Sequence, residues 1–286
     1  MSRHQIRIAA RGFTLIEMIM VMVITGVLAG MVAVFIAKPV EGYVNSVRHA
    51  ELTDAADTAM RRLARDVRLA LPNSLRVTTV GNISYIEFIM TSAGGRYRDV
   101  SDGSTGGYFL SFTNPATLQF DVLGPMPNNP PLAAGVNGDF IVVLNLGPGY
   151  APADAYTGGN IAQINGVAGN IITLSNNPFA LQTPPLPSPN SSFQVVPFAT
   201  QAVTYACPTA APNDFNRYSA YGFNVNQPTP PAGTPALLVA NATCGATFAQ
   251  NAQRRNGIIT INLTLTDPGS QESVSMFYQI HVDNAP

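Results

Sequence analysis

Few side chains in this 286-residue chain are placed to do chemistry. The first is Glu17, the one charge between Phe13 and Ala37. A carboxylate in hydrocarbon costs about 2.5–3.5 kcal/mol on insertion scales. Two readings relieve that cost. Glu17 lies at a membrane interface and snorkels to water, or it meets a cation inside the membrane that another chain supplies. Cys207 and Cys244, the only cysteines, are candidates for a disulfide in an oxidising compartment. Closing that loop would stabilise by about 4 kcal/mol in the chain-entropy model; two buried free thiols are the alternative. No Cys-x-x-Cys occurs, so redox and zinc readings lack support.

The remaining candidates are weaker. His4, His49 and His281 are too dispersed in sequence to argue a metal site. No Gly-x-Ser-x-Gly elbow, phosphate-binding loop or His-Glu-x-x-His occurs. Asp99-Val100-Ser101-Asp102-Gly103 loosely suggests a calcium loop. It misses the EF-hand spacing, so a polar turn is the better reading. No active site, metal or cofactor is expected, and the chain is not expected to be an enzyme.

The elements that must position these residues follow from how charge is distributed. Only 11% of residues are charged and the formal charge is −1. That excludes a globally basic nucleic-acid binder, whose phosphate contacts need clustered Lys and Arg. A hydrophobic share of 46% argues against a disordered acidic tail. Four zones emerge. Residues 1–12 carry Arg3, Arg7 and Arg11 and no acid. Residues 13–37 include 20 uncharged residues from Met18 to Ala37, about 30 Å as a helix and so about a bilayer core. No Ala-x-Ala site follows them, so a retained transmembrane helix is expected, with a cytoplasmic N-terminus set by the three Arg. Gly26 and Gly30 permit close helix packing without demanding it. Residues 38–71 are densely charged and keep a helical period through Leu52, Ala56, Ala59/Met60, Leu63, Val67 and Ala70/Leu71. Pro39 should kink or loosen the junction with the membrane segment, and Pro72 should end the helix. Arg61, Arg62, Arg65 and Arg68 lie largely off the apolar stripe. They form a solvated face with acids on adjacent turns, or they pair with neighbouring subunits; a polybasic lipid-binding role is weaker because acids are interleaved.

Residues 72–286 hold 16 charges in 215 positions and read as β-structure. Candidate strands are 83–90, 108–112, 117–122, 140–146, 170–174, 193–198 and 202–207. The strongest signal is last. Ile259, Ile261, Leu263 and Leu265 alternate with polar residues, and after Asp267-Pro268-Gly269 so do Val274, Met276, Tyr278, Ile280 and Val282. That pattern predicts an antiparallel hairpin with one apolar face. Stretches 94–107, 123–138 and 183–192 read as loops, and a second β-subdomain over 123–200 is the alternative. A helix packed on an antiparallel sheet is an α+β roll.

Arg11-Gly12-Phe13-Thr14-Leu15-Ile16-Glu17 resembles the class III signal of type IV pilins and type II secretion pseudopilins. The resemblance implies that a prepilin peptidase cuts between Gly12 and Phe13, that Phe13 is then N-methylated, and that Glu17 serves assembly. The physical sense is that cleavage creates an α-amino cation at the edge of an apolar helix. A carboxylate one turn on can neutralise such a cation on a neighbour, and Gly12, without a Cβ, allows the peptidase close approach. It also implies a type IV pilin-like α+β fold, a long N-terminal helix on an antiparallel sheet, with loop-rich β insertions here. Residues 11–76, with DTAMRRLARDVRLALPNSLRV after the membrane helix, resemble the MshO minor pilins of mannose-sensitive haemagglutinin pili, and the related W-type minor pilins and J-type pseudopilins. The implied partners are the prepilin peptidase, other minor and major pilins or pseudopilins, an inner-membrane assembly platform and membrane lipid, with no nucleic acid. The implied location is the bacterial inner membrane with the C-terminal domain periplasmic, and then a pilus or pseudopilus. A J-type pseudopilin of type II secretion is the alternative, and a membrane-anchored adhesin or enzyme a remoter one.

Overall fold

The computed structural model describes residues 12–99, 106–210, 213–250 and 256–283. The chain divides into two units, 1–51 and 52–286. One helix, α1 (Leu15–Arg68), begins in the first and ends in the second. Thr14 caps it: the Glu17 N–H donates to Thr14 Oγ1 at 3.3 Å, which satisfies one of the donors a helix N-terminus leaves unpaired. The helix stays continuous across Pro39, at the cost of the one hydrogen bond a proline cannot donate.

In the second unit α1 buries Ala56, Ala59, Met60, Leu63, Ala64 and Val67, the predicted stripe. It ends at Arg68 rather than at Pro72. The cause is sheet pairing: the Leu71 N–H donates to the Ile89 carbonyl at 2.7 Å, so the chain leaves the helical ladder before proline forbids it.

That stripe lies against an antiparallel sheet of seven strands: β1 (Arg76–Val80), β2 (Ile83–Ile89), β9 (Ala202–Pro208), β10 (Asn213–Ser219), β11 (Ala236–Gln250), β12 (Asn256–Thr266) and β13 (Ser273–Asp283), in that spatial order. The shared core includes Ile86, Phe88, Val203, Tyr205, Phe215, Ile259, Ile261, Leu263 and Leu265. The terminal hairpin runs in unbroken register from Asn256↔Asp283 to Thr266↔Ser273. Asp267 closes its turn, its carboxylate accepting from the Ser270 N–H at 2.7 Å. The fold is α+β, a helix packed on an antiparallel sheet.

Between β2 and β9 the chain builds a second body. Strands β3 (Ala93–Tyr97), β4 (Gln119–Leu123), β5 (Phe140–Val142), β6 (Ile161–Ala168), β7 (Ile171–Leu174) and β8 (Ser192–Val196) close into a barrel in the order β3-β4-β7-β6-β5-β8. Its interior holds Tyr97, Phe120, Ile141, Ile164, Ile172, Phe193 and Val195, all buried. Phe120 and Phe193 meet edge to face at 5.7 Å between ring centroids, a favoured aromatic geometry. The insertion is therefore less loop-rich than expected. It starts near residue 93 rather than 123, and part of the expected loop 94–107 is strand β3. Gly94 and Gly95 belong there because the strand passes close to β8: a Cβ on Gly95 would lie 2.6 Å from the Phe193 ring. Conversely, the expected strand 108–112 is irregular. Ser111 Oγ accepts from the Thr113 and Asn114 N–H groups and turns the chain there.

A third apolar cluster joins barrel to sheet, with Leu71, Ile89 and Ala202 on one side and Val142, Tyr156, Ile161 and Val196 on the other.

Candidate functional site

The candidate assembly site is the start of α1. Phe13 precedes the helix and is 76% exposed. Glu17 sits in the first turn, where a carboxylate is favoured by the positive end of the helix dipole. Thr14-x-x-Glu17 is also the sequence pattern of a capping box. Glu17 is exposed and makes no ion pair among the described residues. Behind it the large apolar side chains from Ile16 to Ile36 are exposed, Met18, Val23, Leu28, Val32 and Phe35 among them. The helix is long and apolar enough to cross a membrane. So extended an apolar surface is stable only against lipid or other apolar helices. A Cβ on Gly26 or Gly30 would meet nothing within 4 Å, so neither glycine serves this chain's own packing.

Gly12 and Phe13 just precede α1 and Glu17 lies in its first turn, and Cys207 and Cys244 sit elsewhere. The cysteines form a disulfide between β9 and β11, with Cα atoms 5.5 Å apart. In the sheet order β10 lies between those strands. The disulfide therefore links second neighbours, near the end where β10 starts. Both cysteines lie in the helix–sheet core.

The charges on the second half of α1 divide by face. Arg61 pairs with Asp57 at 2.6 Å, and Asp57 also accepts from the Tyr278 hydroxyl at 2.7 Å. Asp66 is buried and turned to the sheet, where it takes Arg217 Nε at 3.0 Å and the Tyr205 hydroxyl at 2.7 Å. Burial first, and then the charge of Asp66, push the Tyr205 phenol well above its ordinary range. Arg62, Arg65 and Arg68 are exposed and make no ion pair among the described residues. The face is solvated as expected, but of its predicted acid partners only Asp57 pairs with an arginine of this cluster.

One ionisable cluster was not legible in sequence. Arg76 on β1 pairs with Glu87 on β2 at 2.6 Å, and the Glu87 side chain is fully buried. Tyr221 donates to Glu87 at 2.9 Å, and the Arg76 guanidinium lies 3.8 Å over the Tyr156 ring. Burial raises the Glu87 carboxyl, against the lowering pull of Arg76 and Tyr221. Tyr156 belongs to the inserted segment, so this cluster fastens barrel to sheet. Arg76 also donates to the Val225 and Asn224 carbonyls, each at 2.7 Å, and the Tyr156 hydroxyl donates to the Ser74 carbonyl at 2.9 Å, so these groups tie neighbouring segments together. Among the described residues no group of three or more His, Cys, Asp or Glu is placed to hold a metal. His4 and residues 100–103 of the calcium-like stretch lie outside the described residues.

Compared with known proteins, residues 7–33 match the prokaryotic N-terminal methylation motif. No curated protein and no solved structure matches the chain. The motif, with the long apolar helix behind it and the sheet packed on that helix, supports a type IV pilin-like protein that is a substrate of the prepilin peptidase. It also supports membrane anchoring through the N-terminal helix.

Proposed function

We propose that the chain is a minor pilin, of the kind found in mannose-sensitive haemagglutinin pili, that initiates or tips a type IV pilus. The observation that carries this reading is the methylation motif at residues 7–33 on a helix whose apolar surface is bare from Phe13 to Ile36. The peptidase cuts between Gly12 and Phe13, and Phe13 is N-methylated. Glu17 then neutralises the new amine of a neighbouring subunit in the membrane. The role is structural rather than catalytic and needs no cofactor. The N-terminus faces the cytoplasm and the β-rich part the periplasm, until an inner-membrane platform extrudes the subunit. The resemblance of residues 11–76 to MshO-type minor pilins supports the minor-pilin reading, and a J-type pseudopilin of type II secretion, which the same residues also resemble, is the alternative.

The test is the mass of the N-terminal peptide from cells with and without the prepilin peptidase. A peptide beginning at N-methyl-Phe13 only when the peptidase is present is the expected result; an uncut leader in both removes the proposal. Recovery of Glu17→Ala from sheared pili separates assembly from processing. It is expected to fall at least tenfold while the same mature N-terminus forms, and a loss of protein export with pili intact would select the pseudopilin.

A further inference from the structure

We infer that β13 is a docking edge, to which a different subunit of the same filament adds an extended, uncharged segment as an eighth strand. The inference rests on the filament reading and names a second contact beyond the N-terminal helix. β13 is the last strand of the sheet and pairs with β12 alone. Among the described residues its outer edge receives no backbone hydrogen bond. An edge of 11 residues runs about 37 Å, and alternate residues along it present both N–H and C=O outward.

Such an edge templates pairing with whatever strand reaches it, and soluble proteins blunt it with lysine, proline, a bulge or short length. β13 (SVSMFYQIHVD) has no Lys, Arg or Pro. Its register with β12 is unbroken through eleven pairs, so it carries no bulge. The opposite edge, β1, is only five residues long. Among the described residues no segment covers this edge.

The chemistry of the edge defines its occupant. Ser275, Phe277, Gln279 and His281 are exposed on the face away from α1, and Phe277 is 64% exposed. Cross-strand partners of an aromatic are best when aromatic or β-branched, and from Ser273 to His281 no carboxylate or guanidinium on that face calls for a charge. The edge also adjoins the assembly helix, since Tyr278 on β13 donates to Asp57 on α1. A subunit packed along α1 near Asp57 therefore stands next to β13.

Hydrogen exchange of the full-length chain tests this, comparing protein in sheared filaments with the same chain alone in detergent. The expected result is that every second β13 amide, those not bonded to β12, slows at least tenfold in the filament. Gln279→Lys on the edge is expected to abolish that slowing, while Asn262→Lys on the same face one strand inward retains it. Equal β13 exchange in filament and detergent overturns the inference and leaves assembly through α1 standing. Equal sensitivity of the two lysine variants overturns it in favour of docking on the sheet face. Slowing that appears in the purified chain alone as its concentration rises overturns it in favour of self-pairing. If the chain enters no filament at all, this inference and the filament reading fall together.

Discussion

The seven-stranded sheet and the six-stranded barrel solve the same problem in opposite ways. Both are antiparallel, and both bury a contiguous apolar core. The barrel closes on itself, so every strand has two neighbours and no edge remains. The sheet stays open. It borrows α1 to cover one face, is crosslinked by a disulfide between β9 and β11, and ends on the bare strand β13. A closed body satisfies its own backbone, whereas an open one leaves backbone groups for something else. The assembly machinery, on this view, runs through α1 and the sheet, and the barrel is carried. Its place in the chain agrees, since it is inserted between two paired strands, β2 and β9, whose register from Ile83↔Pro208 to Ile89↔Ala202 it leaves intact.

Matched cavities sharpen this most strongly. Phe88 lies in the helix–sheet core and Phe120 in the barrel, and both are fully buried. Truncation of either to Ala is expected to cost about 3–5 kcal/mol. Phe88→Ala should lower stability and filament recovery together. Phe120→Ala should loosen the barrel strands by hydrogen exchange and leave recovery near wild type. Equal loss of filaments from both variants would mean that barrel and sheet act as one cooperative unit, and the division would fail.

The sequence made these two bodies unequally legible. The β12–β13 hairpin was plain because Ile259, Ile261, Leu263 and Leu265 alternate strictly with polar residues, and all four are buried. The helical stripe was plain for the same reason at period 3.6. Strand β11 was not: ALLVANATCGATFAQ fills the core with small residues such as Ala242 and Cys244, which give little contrast in hydropathy. β3 was hidden by the two glycines that let it approach Phe193. Barrel closure depends on pairings such as Ala93↔Val195, about a hundred positions apart, which no local pattern encodes. At the candidate assembly site the types and order of Gly12, Phe13 and Glu17 form a local motif, so its candidates are readable at once. The Arg76–Glu87–Tyr221 cluster and the Asp66–Arg217 pair are tertiary meetings with no such signature.

The disulfide offers a smaller perturbation confined to the open body. It bridges a separation of 37 residues, and its removal as Cys207→Ala with Cys244→Ala is expected to cost about 2–4 kcal/mol. A denaturant titration with and without reductant measures the loss. The wild type should fall to near the double variant when reduced, and the double variant should ignore reductant. Hydrogen exchange should place the loss in β9 to β12 rather than in β3 to β8. Loosening of the barrel on reduction would contradict its independence.

The smallest effect concerns the barrel alone. Tyr97 is fully buried, and its phenol oxygen accepts from the Ser188 N–H at 3.0 Å. Burial, opposed by that hydrogen bond and reinforced by the Asp99 charge, pushes the phenol up to about 12. A group raised on folding contributes fully below its unfolded pKa and loses that contribution as pH climbs through the folded one. Here that window runs from about pH 10 to about pH 12, and the loss is capped at roughly 2.7 kcal/mol. Tyr97→Phe is expected to cost about 1–3 kcal/mol near neutrality, because Ser188 N–H is left without its acceptor. The same variant has no phenol to ionise, so denaturation curves of the two proteins should converge as pH rises through that window. A gap that holds constant with pH would mean that Tyr97 ionises at no cost, which requires water to reach the barrel interior and so a barrel that opens.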